Sequence, residues 1–431
     1  MARLYLDNSA TSFPKPPGVY EAMLDYATRV GASPGRGFYA ESREGARLLR
    51  RTRELINRFI NGENPDHVVF ALNTTDALNI AVKGIVRHRR LAAPAAPIHL
   101  LTTALDHNSV LRPFSALADD GGIEWTILEG RRGTGRISAG QVAAAIRPDT
   151  ALVAVVHASN VAGTIQPIAE IGRACRDRNV PFLVDAAQSL GHVPVDVQRM
   201  NIDLLAFPGH KGLLGPQGTG ALYVRPGVEK IMATWREGGT GHLSEHDVQP
   251  HDMPQKFEAG SHNTAGLVGL GAAVQWLLDR GHEALRAHEL ELIELFLGEL
   301  RIGGGKFTDD GARTPAMGGA THGLGSPGPL SSLTLLGPSR AADRVAVFSF
   351  IHDSLAPGEF AAILESQFGI LARSGLTCAP HAHTLFGTHP GQGGQGAFRL
   401  SFGPFVTRDD VLGAVEALRA VCASVAPAAA P

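Results

Sequence analysis

From about residue 17 to residue 255 the chain alternates short apolar runs with longer helical patterns, and this alternation limits its fold more than any other feature. The runs include Val68–Leu72, Ile98–Thr102, Leu152–Val156, Val180–Val184 and Ile202–Ala206. A strand that is apolar at successive positions has both faces buried, as in a parallel sheet covered by helices. The clearest helical stripe spans Ser42–Ile60, with Leu48, Leu49, Leu55, Ile56, Phe59 and Ile60. The pattern predicts an α/β layer with a largely parallel sheet. In open sheets of this kind ligands gather beyond the carboxyl ends of the strands. The polar residues after each run are therefore the first place to look for chemistry.

After Ile202–Ala206 comes Phe207-Pro208-Gly209-His210-Lys211-Gly212-Leu213-Leu214-Gly215-Pro216. A lysine held in a tight loop at a strand end can be aimed at one atom. That is what the Schiff-base lysine of a pyridoxal phosphate (PLP) site needs. An isolated Gly-His-Lys is otherwise a solvated loop, so the reading depends on the rest of such a site being present.

Candidates for the rest follow the other runs. Val180–Val184 ends in Asp185, which can pair with the protonated pyridine nitrogen of PLP. The alternative for Asp185 is a helix N-cap. Gln188, three residues on, reaches toward the ring hydroxyl. Val68–Leu72 runs into Asn73-Thr74-Thr75-Asp76, then into a helical pattern through Ile80, Ala81 and Ile85. Hydroxyls and free amides at a helix start suit a phosphate, although ordinary capping gives the same residues. His107, in Ala104-Leu105-Asp106-His107-Asn108-Ser109, is placed to stack on a cofactor ring or to be a plain surface histidine. Asn160 lies just past Leu152–Val156, again at a sheet edge.

Together these motifs resemble the class V aminotransferase family of PLP enzymes, in its cysteine desulfurase and selenocysteine lyase branch. The resemblance starts at Tyr5-Leu6-Asp7-Asn8-Ser9-Ala10-Thr11 and continues through Ser12-Phe13-Pro14-Lys15-Pro16 and Glu258-Ala259-Gly260-Ser261-His262-Asn263-Thr264. It then runs through Arg373-Ser374-Gly375-Leu376-Thr377-Cys378-Ala379-Pro380 to Arg399-Leu400-Ser401-Phe402. It implies PLP fold type I: a large domain with a mostly parallel sheet flanked by helices, plus a smaller α+β domain. Residues 17–258 would form the large domain. Residues 1–16 and 259–425 would form the small domain with an N-terminal arm, and 426–431 a disordered tail.

The same resemblance implies roles. Lys211 matches the Schiff-base lysine, Asp185 the pyridine-nitrogen partner and Gln188 the residue at the ring hydroxyl. His107 matches the stacking histidine, and Asn160 a residue near the ring oxygen and substrate. Thr75 and His210 match phosphate contacts, with Thr74 beside them. Thr240, in Gly239-Thr240-Gly241, matches a loop reaching the partner subunit's phosphate, which implies a homodimer. Arg399 matches the arginine that takes the substrate carboxylate, and Arg373 is an electrostatic helper on the substrate side. Cys378 matches the sulfur-accepting nucleophile. The implied reaction removes sulfur from L-cysteine, leaving L-alanine and a cysteine persulfide that a sulfur-acceptor protein can unload. The alternatives are a selenocysteine lyase, or a C–S β-lyase, epimerase or aminotransferase that does not use Cys378.

Some positions depart from the family pattern. Pro208 stands where the family has Ser or Thr, and proline offers neither hydroxyl nor N–H to a phosphate. Leu376-Thr377 stands where a histidine often precedes the cysteine. His381 and His383 follow closely, and their place in a glycine-rich segment predicts that they are solvated. Gly403-Pro404-Phe405-Val406-Thr407 lacks the asparagine usual before the threonine.

The 431 residues carry a formal charge of −2, with no block of like charges to suit nucleic acid or a membrane surface. No apolar run is long enough to span a bilayer, and the first residues lack the apolar core of a signal peptide, so the expected compartment is the cytoplasm. Three cysteines, Cys175, Cys378 and Cys422, are too few and too scattered for a disulfide framework or a zinc site. Cys175 and Cys422 fall in helical patterns and read as small core residues. In the C-terminal half, two helices are expected from Thr264 to Arg301, a long loop from Gly303 to Pro329 and a strand over Val345–Phe350. Helices over Pro357–Phe368 and from Arg408 to about Ala423 complete it.

Overall fold

The computed structural model describes residues 3–309 and 328–425. Strand β1 (Leu4–Tyr5) belongs to an N-terminal arm, followed by helices α1 (Val19–Asp25) and α2 (Ala40–Phe59). The large sheet is built from β2 (Val68–Ala71), β3 (Ile98–Thr103), β4 (Ile123–Leu128), β5 (Thr150–Val156), β6 (Phe182–Asp185), β7 (Leu204–Pro208) and β8 (Gly220–Val224). Helices α3 (Thr74–Ala92), α4 (Asn108–Asp119), α5 (Ala139–Ala145) and α6 (Ile168–Arg176) lie between these strands in sequence. The strand order is β2-β8-β7-β6-β5-β3-β4. From β7 to β4 every pairing is parallel, while β8 runs antiparallel to both neighbours. Strands β3, β5, β6, β7 and β8 are buried at every position, as their largely apolar runs lead one to expect.

After α7 (Thr264–Arg280) and α8 (His282–Ile302) comes a second sheet of β9 (Lys306–Phe307), β10 (Leu333–Leu335), β11 (Val347–His352), β13 (Arg373–Gly375) and β14 (Ala397–Ser401). Its order is β13-β14-β11-β10-β9. Strand β12 (Ile370–Leu371) pairs in parallel with β1, which ties the arm to this unit. Helices α9 (Pro357–Phe368), α10 (Pro380–Leu385) and α11 (Arg408–Val425) complete it. Phenylalanines fill its core: Phe360 stacks on Phe398 at 4.1 Å, and Phe296 meets Phe348 edge-on at 4.6 Å.

Helix α7 does not go with this second unit. Leu267, Leu270, Ala273, Val274 and Leu277 share one apolar cluster with Phe70, Val155, Phe182 and Leu205 of the large sheet. A division at residue 258 would assign α7 to the small domain, but its apolar face packs on the large layer. The loop expected over Gly303–Pro329 lies mostly outside the described residues, as does the tail 426–431, and Lys306–Phe307 at its start pairs as β9.

The arm joins the two layers. Beyond β1, Asp7 bridges to Ser401 at the end of β14, and the Ser12 amide then donates to the His210 carbonyl in the large layer.

Candidate active site

The strand ends of the large sheet meet at one edge. Asp185 ends β6, paired with Val156 of β5 on one side and Ala206 of β7 on the other. His157 and Asn160 follow β5, and His210 and Lys211 follow β7. Parallel neighbours bring their carboxyl ends to the same side, so residues far apart in sequence become neighbours here.

Lys211 sits in a loop that only glycines can close. A Cβ on Gly209 would lie 2.1 Å from Thr219 Oγ1, and one on Gly212 would lie 2.2 Å from the Leu190 carbonyl oxygen. Pro208 is the buried last residue of β7, paired with Gly220. Burial pushes the Lys211 ammonium down to about 8, with the Asp185 carboxylate partly opposing it. Burial raises Asp185, against a hydrogen bond accepted from the Ala187 amide at 2.9 Å and the charge of Lys211. No helix starts at Asp185, so the N-cap alternative does not apply. Gln188 donates to the Ser9 carbonyl at 2.9 Å, which brings the arm against this edge.

His107 caps α4. Its Nδ1 accepts from the Ser109 amide at 3.0 Å and lies 2.8 Å from Ser109 Oγ, which in turn is 2.7 Å from Thr75 Oγ1. Burial, then the nearby Lys211 charge, pushes His107 down to about 4. The ring is therefore neutral and held. Thr75 and Thr74 open α3, where Asn73 serves as the cap. His210 is also pushed down to about 4, by burial and then by the charges of Lys211 and Lys15.

The second unit supplies the other wall. Arg399 on β14 faces Arg373 on β13 in register. Its Nη1 donates to the Asn160 carbonyl at 3.0 Å and its Nη2 to Asp7 Oδ1 at 2.9 Å. Asn160 also donates its side-chain amide to the Thr377 carbonyl at 2.5 Å, and the Asn108 amide donates to the Cys378 carbonyl at 2.9 Å. Cys378 is exposed, between β13 and α10, whereas Cys175 and Cys422 are buried.

One predicted residue stands apart. Thr240 lines a separate cleft with Tyr26, Arg36, Ser261 and His262, and its hydroxyl donates to the His242 carbonyl. His383 also departs from expectation. It is fully buried, with Nδ1 2.7 Å from Thr388 Oγ1, on helix α10, whose Ala382 shares an apolar cluster with Leu105, Val156 and Val161. His381 is half-buried. Sequence reasoning missed Ser109 and Asp7 as site residues. A hydroxyl two positions after His107 was the available signal for the first; for Asp7 the signal was a carboxylate in a motif whose role was unassigned.

Known proteins resemble this chain along most of its length. A family profile described as aminotransferase class-V matches residues 4–309 and 328–413. A probable cysteine desulfurase of Methanothermobacter thermautotrophicus is 34% identical over 378 residues, covering 87% of this chain and 84% of that protein. A cysteine desulfurase of Yersinia pseudotuberculosis is 31% identical over 383 residues, with the same coverage, 87% and 84%. The apo structure of a cysteine desulfurase from Thermococcus onnurineus superposes with a TM-score of 0.84 at 27% identity, over 98% of this chain and 95% of that one. An Escherichia coli cysteine desulfurase structure has a TM-score of 0.78 at 24% identity, over 98% of this chain and 95% of that one, and bears on the fold alone.

Proposed function

The chain belongs to the class V aminotransferase family, and from that premise we propose that it is a PLP-dependent cysteine desulfurase, converting L-cysteine to L-alanine and a persulfide on Cys378. Its architecture is that of PLP fold type I. One observation carries the reading. The loop bearing Cys378 is hydrogen-bonded to Asn160 and Asn108, on the strand-end edge that also presents Lys211, Asp185 and His107.

The residues of this edge suit PLP. Asn160 Oδ1, His210 Nδ1 and Arg399 Nε are buried without a hydrogen-bond partner among the described residues, and such groups ordinarily find one. Asp185 is a buried carboxylate raised by desolvation, which a protonated pyridine nitrogen would satisfy. In this reading Lys211 would hold the cofactor covalently, Asp185 would pair with its ring nitrogen and His107 would lie against its ring. Gln188 and Asn160 would serve its ring oxygen, and Thr74, Thr75 and His210 would take its phosphate. When bound, PLP supplies an electron sink for negative charge at the substrate Cα.

The chain's own residues do the rest. Arg399 binds the α-carboxylate through paired donors. Neutral Lys211 accepts the Cα proton. Cys378 as thiolate attacks the substrate sulfur. A sulfur–sulfur bond forms, the carbon–sulfur bond breaks, and the carbon takes the electron pair and a proton to become the methyl of alanine. Arg373, in register with Arg399, adds positive charge near the approaching thiolate. A sulfur-acceptor protein then unloads the persulfide.

Thr240 supports a homodimer. It stands in a cleft of its own, as a residue that serves the neighbouring subunit's phosphate would. Tyr20, Leu24 and Phe38 are exposed apolar side chains available for such a contact.

The test is to incubate the holoenzyme with L-cysteine and assay alanine, pyruvate and sulfide together. Alanine with protein-bound persulfide supports desulfuration. Pyruvate in place of alanine would reassign the chain to β-elimination.

A further inference from the structure

Arg399 is 3% exposed, and the only carboxylate within ion-pair distance among the described residues is that of Asp7. A guanidinium carries five N–H donors in one plane. The Asp7 carboxylate and the Asn160 carbonyl engage two of them, and Nε is buried without a partner among the described residues. An α-carboxylate needs two parallel donors on one edge of that plane. Whatever fixes the plane therefore decides where the free edge points.

Asp7 is held firmly enough to do this. The Ser401 amide donates to the Leu6 carbonyl at 2.7 Å, and the Ser9 amide donates to Ser401 Oγ at 2.8 Å. Asn8 Nδ2 donates to the Ser401 carbonyl at 3.2 Å, and the Tyr5 hydroxyl donates to the Asp7 carbonyl at 3.1 Å. Ser401 lies on β14 two residues beyond Arg399. The strand that carries the arginine thus seats the segment that orients it.

We propose that Asp7 is a positioning residue for substrate recognition, fixing the guanidinium plane of Arg399 so that its free edge meets the α-carboxylate of the amino acid. The inference rests on the reading of Arg399 as the carboxylate site. It adds the N-terminal arm to the specificity apparatus. Charge alone is not the point: an uncharged side chain of the same shape, with its oxygen in the same place, keeps the orientation.

Steady-state kinetics of the holoenzyme with L-cysteine test this on wild type, Asp7→Ala, Asp7→Asn and Arg399→Lys. Asp7→Ala raises KM by about tenfold or more with kcat within about threefold, the signature of lost uniform binding. Asp7→Asn recovers most of that loss. Should Asp7→Ala fail to accumulate as folded protein, Asp7→Ser takes its place, since its hydroxyl is too short to reach Nη2, and the same KM rise is expected. An unchanged KM in Asp7→Ala, or a loss of kcat that asparagine does not restore, overturns the proposal. If Arg399→Lys leaves KM unchanged, the reading of Arg399 has failed instead. If Arg399→Lys raises KM and Asp7→Ala does not, only the role of Asp7 is wrong.

Discussion

The side-chain amide of Asn160 donates to the carbonyl oxygen of Thr377, 2.5 Å away and 217 positions along the chain. A residue at the strand-end edge of the large sheet therefore also holds the loop that carries Cys378. That loop is conformationally costly. Thr377 and Cys378 have φ of +45° and +60°, a region where each non-glycine residue costs roughly 1–2 kcal/mol. Two hydrogen bonds, from Asn160 and from the Asn108 amide, keep it seated.

Cys378→Ser separates desulfuration from other chemistry on this fold. The variant keeps the loop backbone and loses the sulfur nucleophile. It is expected to bind PLP normally, form no persulfide and release no alanine from L-cysteine. Selenocysteine still reacts, because its carbon–selenium bond breaks without a protein nucleophile. Alanine production at the wild-type rate would remove Cys378 from the mechanism.

Lys211 sets a pH dependence that is measurable without substrate. Only its neutral amine can attack the PLP aldehyde, and burial lowers it to about 8. Reconstitution of apoenzyme is therefore expected to speed up about tenfold per pH unit below that value and to level off above it. An ordinary exposed lysine would keep accelerating to about pH 10. Stopped-flow absorbance reads the rate, and Lys211→Ala shows no yellow band and no borohydride-fixed adduct.

Arg399→Lys replaces a planar two-donor edge with a single ammonium. The KM for L-cysteine should rise about tenfold or more, about 1.4 kcal/mol of binding, with the cofactor spectrum unchanged. A fall in thermal stability with normal KM would show that Arg399 is structural.

Glu258 offers a test of fold stability rather than of catalysis. It accepts from Arg53 Nη2 at 2.6 Å, the Phe70 amide at 2.6 Å and His262 Nε2 at 3.0 Å. Burial pushes the carboxyl up, but Arg53 and His262 outweigh it and hold it at about 2. A depressed carboxylate stabilises the fold above its unfolded value, and the contribution fades as pH falls toward 2. Glu258→Gln should cost about 3–5 kcal/mol at pH 7, because Arg53 is left buried without its partner. Urea unfolding should show the gap to wild type narrowing between pH 4.5 and pH 2. A constant gap would refute the charge argument.

The helices over Pro357–Phe368 and from Arg408 onward were legible from caps and periodicity, signals that lie within each segment. The strand ends that carry Lys211, Asp185, Asn160 and Thr75 were legible because polar residues interrupt long apolar runs there. The burial of His383 was not, since a glycine-rich flank says nothing about what its own helix, α10, packs against. Helix α7 was misplaced for a related reason: its apolar face identifies it as packed, not the layer it packs on.

The sequence by itself determined a mostly parallel α/β layer, because continuous apolar runs can be buried only between two covers of helix, and that requirement is local. It also marked the strand ends whose polar residues are candidates for chemistry. Only the tertiary structure decided which of those residues act on one another. Asp7 and Arg399 are 392 positions apart, and their contact depends on the arm entering beside β14 with Asp7 bridged to Ser401. A slip of one residue in that register would turn the carboxylate to the opposite face. Pairings of that kind are set by how whole sheets and arms dock, and no segment encodes them alone.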